Sequence, residues 1–316
     1  MSYLITGGSG LIGSRVARDL AREGQRVVVY DAYPQEELLT SLLTQEELSL
    51  VKIYRGDVTD LPHLLHAVKD NAVESIVHLA AMTTYPSSAN PPLAIRVNCE
   101  GTANVFEAAR LLGLKKVVWA STRDVFGAAD KYPNGVVPND GAHYPASVYA
   151  ASKSFCEVLA RHYIKSYGLD ISALRYFFAY GIGQRGSIIS RFMSELVEKP
   201  AIGKPGRVPY GDDSFGWLYV DDAARATVML SKSVMPETKA FTVGSNPRPV
   251  RDAVAYVKEL LPGCDLTIEP GSLGPGNNCE TEPLKDEIGF EPTWTMEQGL
   301  KDSVNFVRRQ HGLDPV

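Results

Sequence analysis

No stretch of the chain approaches the roughly 18 consecutive apolar residues that a membrane-spanning helix needs, so no membrane partner is expected. Paired cysteine spacings are missing as well. Cys99, Cys156, Cys264 and Cys279 stand far apart, with no C-x-x-C, and the six histidines form no cluster of metal-ligand spacing. That pattern predicts reduced structural thiols and no metal site. An excess of basic charge is also absent: the formal net charge is −5, which argues against binding a nucleic-acid backbone. A basic, apolar, cleavable leader is not seen before the fold, because Met1-Ser2-Tyr3-Leu4-Ile5-Thr6 runs directly into glycines. The expectation is a cytoplasmic location. Internal repeats and low-complexity tracts are lacking too.

What remains is ordinary for a globular protein: 316 residues, 44% hydrophobic and 22% charged. Apolar, β-rich runs recur at Tyr3–Thr6, Arg26–Tyr30, Leu50–Tyr54, Ser75–Leu79, Lys116–Ala120 and Ile171–Leu174. Helical patterns lie between most of them, among them Ser14–Glu23, Leu93–Leu112 and Ser147–Tyr167. Short, nearly continuous apolar strands alternating with helices predict an α/β fold, a doubly wound parallel sheet of the Rossmann type covered on both faces. Lys199–Gly216 and Pro262–Asn278, rich in Gly and Pro, read as irregular. The expected division is a dinucleotide-binding domain over 1–175 and a smaller, mainly substrate-binding lobe over 176–316, with segments returning to the sheet.

Immediately after the first strand comes Gly7-Gly8-Ser9-Gly10-Leu11-Ile12-Gly13, a G-x-x-G-x-x-G loop that opens an amphipathic helix. Gly7 permits the tight turn, Gly10 removes a Cβ where backbone approaches a pyrophosphate, and Gly13 lets helix pack on strand. The helix N-terminus then offers free N–H groups and its positive dipole end to the phosphates. The second strand ends at Asp31, whose carboxylate suits two ribose hydroxyls and repels a 2′-phosphate; no Arg follows it. NAD is therefore expected rather than NADP.

Tyr149 and Lys153 are spaced i, i+4 in a helical pattern, so phenol and ammonium share a face. A free phenol titrates near about 10. A neighbouring ammonium and an oxidised nicotinamide both favour the phenolate, making the pair suited to proton transfer at a carbinol.

With these motifs the chain resembles the extended short-chain dehydrogenase/reductase family, in its NAD-dependent epimerase/dehydratase branch. The resemblance spans nearly the whole length. It rests also on Asp57-Val58, His78-Leu79-Ala80-Ala81, Val97-Asn98 with Gly101-Thr102-Ala103-Asn104, Leu174-Arg175-Tyr176-Phe177, Tyr219-Val220-Asp221-Asp222, and Glu287 to Pro292. It implies that Asp57 and Val58 contact adenine, and that Leu79, Ala80, Ala81, Thr83, Asn98 and Phe177 line the cofactor with Leu11 and Ile12 of the loop. It implies that Thr122 hydrogen-bonds the reacting oxygen, that Tyr149 exchanges its proton, and that Lys153 holds the nicotinamide ribose. Hydride then passes between the substrate carbon and NAD. His78, in an apolar strand, reads as a core residue. The family also pairs the helices near Asn98–Leu112 and around Tyr149 across a homodimer. Ala103, Val105, Ala108, Phe155, Leu159 and His162 could supply such a surface or face this chain's own sheet.

Departures from the family bear on the substrate. Dehydratases of the branch carry Asp-Glu after the Thr, whereas here Thr122 is followed by Arg123 and Asp124. Dehydration is not expected. Where sugar-nucleotide epimerases have Asn after the Arg-Tyr-Phe run, this chain has Phe178; where they have Arg before the Tyr-Val-Asp-Asp signature, it has Phe215. Two diphosphate contacts are thus lost, although Arg185, Arg191 and Arg207 lie nearby in sequence. The substrate expected is carbohydrate-like and not a typical UDP-sugar, with Thr83, Thr122, Arg123, Tyr149, Phe178 and Arg185 around it. Arg123 suits a carboxylate, and is equally readable as a surface residue or as the partner of Asp124. Three activities stay open: an epimerase that recycles its NAD, a dehydrogenase of a small polyol, hydroxy acid or sugar acid that releases NADH, and a non-catalytic NAD-binding sensor.

Overall fold

Residues 3–5 show why the sheet forms. Leu4 joins the apolar cluster on one face of the sheet, while Tyr3 and Ile5 join the cluster on the other. A strand that buries both faces reads as a continuous apolar run. The computed structural model describes all residues except 184–185, 245–246 and 274–277. Among the described residues, fourteen strands follow in chain order: β1 (Ser2–Thr6), β2 (Arg26–Asp31), β3 (Val51–Arg55), β4 (Ser75–His78), β5 (Lys116–Thr122), β6 (Val136–Val137), β7 (Ile171–Tyr176), β8 (Phe178–Tyr180), β9 (Gly206–Val208), β10 (Ser214–Tyr219), β11 (Ala240–Val243), β12 (Pro247–Pro249), β13 (Leu266–Ile268) and β14 (Asn278–Cys279). Seven of them make the main sheet, in the order β11-β7-β5-β4-β1-β2-β3, with every neighbouring pair parallel.

Helices cover both faces. Leu11–Arg22 and Val220–Lys232 bring Val16, Leu20, Ala224 and Val228 to one side. Leu61–Asp70, Gly101–Leu112 and Val148–Tyr167 bring Leu64, Phe106 and Cys156 to the other. Burying one such Leu or Phe fully stabilises the fold by about 1.5–3 kcal/mol. The chain leaves β1 toward β2 and β3, then crosses back to β4 on the opposite side of β1. That reversal opens a crevice at the carboxyl ends of β1 and β4, the place where such sheets bind ligands.

The expected elements differ from the observed ones in instructive ways. The first helix begins at Leu11, three residues before the apolar periodicity starts, because the glycine loop itself caps it. The helix expected over 93–112 is three pieces: Pro91–Ile95, a π-helical turn at Arg96–Glu100, and Gly101–Leu112. The extra residue in that turn lets Asn98 point inward, fully buried. β5 and β7 each extend two residues beyond their apolar runs, to Thr122 and Tyr176, which pair in register. The region 199–216 contains β9 and the start of β10, and 262–278 contains β13. β11 is not signalled, since Ala-Phe-Thr-Val is short and interrupted by a polar Thr; it joins the sheet edge beside β7. β8, β10 and β12 form a separate three-stranded sheet. Beside it Phe192, Leu196, Trp217, Val254 and Leu300 build a further core.

Val105 and Ala108, offered as candidates for an intermolecular face, are fully buried against this chain's own sheet. His78 is a core residue: Nδ1 lies 2.7 Å from Thr6 Oγ1 and Nε2 lies 2.9 Å from Thr102 Oγ1. Burial, with a smaller contribution from Lys153, lowers its pKa from 6.5 to about 3. Between those values the unfolded chain binds a proton that the folded one does not, so stability rises with pH. The expected contribution is a loss of about 1.4 kcal/mol per pH unit on acidification below about 6.5. His78→Asn should flatten the slope of urea-unfolding free energy between pH 6.5 and 4.5 relative to the parent; parallel slopes would refute it.

Candidate active site

The glycine loop is built by close backbone approach. Gly7 has φ +63, and a Cβ there would lie 2.8 Å from the Ala80 nitrogen. At Gly13 a Cβ would come within 2.3 Å of the Gly7 carbonyl oxygen and 2.7 Å of Gly8 Cα. Gly10 caps the helix without any side-chain hydrogen bond. The first-turn N–H groups therefore have no side-chain acceptor from the cap, which suits them to a phosphate. Leu11 and Ile12 pack into the cores behind them.

Asp31 at the end of β2 is held by Ser9, whose Oγ and backbone N donate to Oδ2 at 2.7 and 3.3 Å. Tyr33 N donates to Oδ1 at 3.0 Å. Nothing in the sequence singles out Ser9 beyond its position one residue before Gly10. Asp57 Oδ1 accepts from Thr59 N and Oγ1, both at 2.9 Å. Val58 is buried against Gly101, where a Cβ would meet its methyl at 2.5 Å. Leu79, Ala80, Ala81 and Thr83 leave the carboxyl end of β4, and Ala80 N donates to Thr6 Oγ1 at 3.2 Å. Asn98, turned inward by the π turn, accepts from Met82 N at 2.8 Å and donates to Met82 O and to Ser152 Oγ. It thereby ties this loop to the helix of Tyr149 and Lys153.

Ser147 caps that helix by accepting from Ala150 N at 3.1 Å. Tyr149 is half-buried, with its phenol beside the hydroxyl of Thr122 at the end of β5. Burial raises the phenol's pKa, the nearby Asp124 carboxylate raises it further, and the Thr122 hydroxyl opposes them. Lys153 is buried; its Nζ donates to Ala120 O at 2.7 Å and sits 6.0 Å from the Tyr149 ring centroid. Burial lowers its pKa. Thr122, Tyr149 and Lys153 are thus gathered at one point on the carboxyl edge of the sheet, beside the crevice. Asp124, in the turn after Thr122, is a charged neighbour whose effect on Tyr149 only the fold makes visible.

Phe177 is buried where the chain passes from β7 to β8, packed so closely on Gly244 that a Cβ there would overlap its ring at 1.8 Å. The Arg123 guanidinium lies over Phe177, 5.5 Å from the ring centroid, and Arg123 Nε is 3.5 Å from Asp124 Oδ1. Phe178 and Phe215 are stacked face to face, with centroids 4.3 Å apart and planes at 12°. Arg207 is engaged at two points by Asp265, at 2.9 and 3.1 Å. Arg185 lies outside the described residues. Among the described residues no group of three His, Cys, Asp or Glu could hold a metal ion, and no helix is long and apolar enough to cross a membrane.

A UDP-glucuronate 4-epimerase of Thermodesulfobacterium geofontis is 30% identical over 96% of this chain and 95% of its own. The structure of MoeE5 in complex with UDP-glucose and NAD is 26% identical, with a TM-score of 0.81 over 98% of this chain and 100% of that one. The UDP-glucose 4-epimerase of Thermus thermophilus in complex with NAD is 25% identical, with a TM-score of 0.81 over 98% and 99%. Residues 3–244 match the NAD dependent epimerase/dehydratase family. The chain belongs to that family, as an NAD-dependent enzyme of the extended short-chain dehydrogenase/reductase type.

Proposed function

We propose that this enzyme oxidises and re-reduces a secondary alcohol carbon of a sugar or sugar-like substrate that is not a typical UDP-sugar, so that the net reaction is epimerisation. The observation that carries the chemistry is the grouping of Thr122, Tyr149 and Lys153 beside the cofactor crevice. NAD supplies the hydride acceptor and donor when bound. The protein's part is orientation and proton handling. Thr122 and Tyr149 converge on one substrate oxygen; the phenol, protonated as held here, returns a proton to it and as phenolate removes one. Lys153 adds positive charge near the phenolate and reaches the nicotinamide ribose. Asp31 takes the adenosine ribose, Asp57 and Val58 the adenine, and Gly7, Gly10 and Gly13 the pyrophosphate. Leu79, Ala80, Ala81, Thr83, Asn98 and Phe177 line the remainder. In this reading 1–175 bind NAD and 176–316 mainly enclose the substrate.

The stacked Phe178 and Phe215 support the choice of substrate. Neither ring can donate a hydrogen bond or a charge to a diphosphate, and their stacking leaves each filling the other's space. Arg207 is already engaged by Asp265. Each missing charge-assisted bond removes about 1.5–3 kcal/mol of binding. Arg123, over Phe177, is assigned to a carboxylate or hydroxyls of the substrate. A panel of free sugars, sugar acids, UDP-glucose and UDP-glucuronate should therefore give a kcat/KM for the best unphosphorylated compound about 100-fold above that for either UDP-sugar. A UDP-sugar as the best substrate would sink the substrate reading while leaving the chemistry intact. Stoichiometric NADH accumulation would replace the closed cycle by net dehydrogenation.

The same reading puts the enzyme in the cytoplasm, in keeping with cysteines that form no disulfide among the described residues. It also makes it a homodimer through the outer face of the Tyr149 helix, where Phe155 and Val158 are half exposed and His162 is exposed.

A further inference from the structure

One turn beyond Lys153 on the same helix stands Glu157, whose side chain is 2% exposed. Its carboxylate accepts from Ser121 Oγ at 2.7 Å and from Arg175 Nε at 2.8 Å on Oε1, and from Arg175 Nη2 at 2.6 Å on Oε2. Ser121 is the residue before Thr122 on β5, and Arg175 is its register partner on β7. Arg175 is itself buried, lies 4.7 Å over the Phe126 ring, and donates through Nη1 to Asn139 O at 2.7 Å. The side chain of Asn139 in turn pairs with Ala240 O and Thr242 N on β11. His143 Nε2 approaches Glu157 Oε2 at 3.5 Å.

A buried ion pair is costly to desolvate, and two apolar side chains of similar size would hold helix to sheet about as well. What they would lack is directional bonds. The two Arg175 bonds and the Ser121 bond restrict both the rotation of the helix about its axis and its height along β5 and β7. We propose that Glu157 is a positioning residue. Through Ser121 and Arg175 it sets the helix so that Lys153 meets Ala120 O and Tyr149 meets Thr122. Burial alone would raise the Glu157 pKa, but the Arg175 hydrogen bonds and charge outweigh it, so the carboxylate stays ionised and the clamp intact. This rests on the reading of Lys153 as the contact to the nicotinamide ribose.

The test compares affinity for NAD, which reaches Lys153, with affinity for ADP, which carries only the adenine end, both by titration calorimetry. Lys153→Met checks the underlying reading: NAD should weaken about tenfold with ADP unchanged. If NAD does not weaken, the assignment of Lys153 fails. Glu157→Leu/Arg175→Met removes both buried charges, so its melting temperature should lie close to that of the parent. It should nevertheless lose about tenfold in NAD affinity while ADP stays within about twofold. Ser121→Ala, which deletes a single bond, should lose about threefold for NAD alone. If Lys153→Met weakens NAD but the double variant binds both ligands as the parent does, the clamp only stabilises the fold and the proposal is overturned. Equal loss of NAD and ADP overturns it too. Should the double variant not fold, Ser121→Ala decides: unchanged NAD affinity refutes the clamp.

Discussion

Tyr149→Phe should lower kcat by about a thousandfold while leaving the Kd for NAD within about twofold. The phenylalanine keeps the ring and its place on the helix, so only the oxygen is lost. That oxygen lies beside the Thr122 hydroxyl and stands on a ring whose centroid is 6.0 Å from Lys153 Nζ. A positioned proton donor or acceptor is worth about 10²–10⁴ in rate, and Tyr176 does not take its place, because it is committed to Thr227 in the core. In the proposed mechanism Thr122 survives in the variant and still polarises the substrate oxygen, which is why some turnover should remain. Steady-state kinetics on the best compound of the sugar panel, with NAD titrated separately, makes the measurement. Activity within a few-fold of the parent would show that the proton moves elsewhere.

Gly13→Ala should weaken NAD by at least about a hundredfold, equivalent to about 2.7 kcal/mol, and should destabilise the fold by about 1–3 kcal/mol. The new Cβ would fall 2.3 Å from the Gly7 carbonyl oxygen and 2.7 Å from Gly8 Cα, both backbone atoms that cannot rotate away. Relief requires the loop to lift off the helix, and the first-turn N–H groups then no longer converge on the pyrophosphate. Gly10→Ala separates the two effects. Its Cβ would meet only the Gly7 carbonyl oxygen, at 3.3 Å. Stability should change little, while NAD binding suffers because the methyl occupies the approach of the phosphates. Calorimetry and thermal melts on both variants test this. Equal destabilisation of the two, or NAD binding retained in Gly13→Ala, would contradict the packing argument.

Much of this architecture was legible from local pattern. The apolar runs of β1, β2, β4, β5 and β7 bury both faces, and such runs keep their signature whatever they pack against. The glycine loop was legible because its spacing answers to a turn, an approach and a contact within seven residues. Tyr149 and Lys153 were legible because helical periodicity alone puts them on one face. Departures from the family at Phe178 and Phe215 could be noticed one at a time, but nothing in the sequence said that the two rings touch.

Other features depend on partners far away in the chain. β11 is a strand because β7 offers it an edge, pairing Ala173 with Ala240 and Arg175 with Thr242, and because Asn139 bonds its other side. The π turn exists because Asn98 finds Met82 and Ser152 inside. Val105 and Ala108 turned out to be core because the rotation of their helix is set by packing, which periodicity leaves open. Glu157 shares the spacing of Tyr149 and Lys153, yet its meaning depends on Ser121 and Arg175 meeting it from two strands. By itself, then, the sequence determined a doubly wound sheet, an NAD loop and a Tyr–Lys pair, since each follows from turn chemistry or periodicity within a few residues. How Thr122 meets Tyr149, what holds Lys153 in place and how Phe178 stacks on Phe215 come only from the tertiary fold, because those depend on which distant side chains packing brings within a few ångströms.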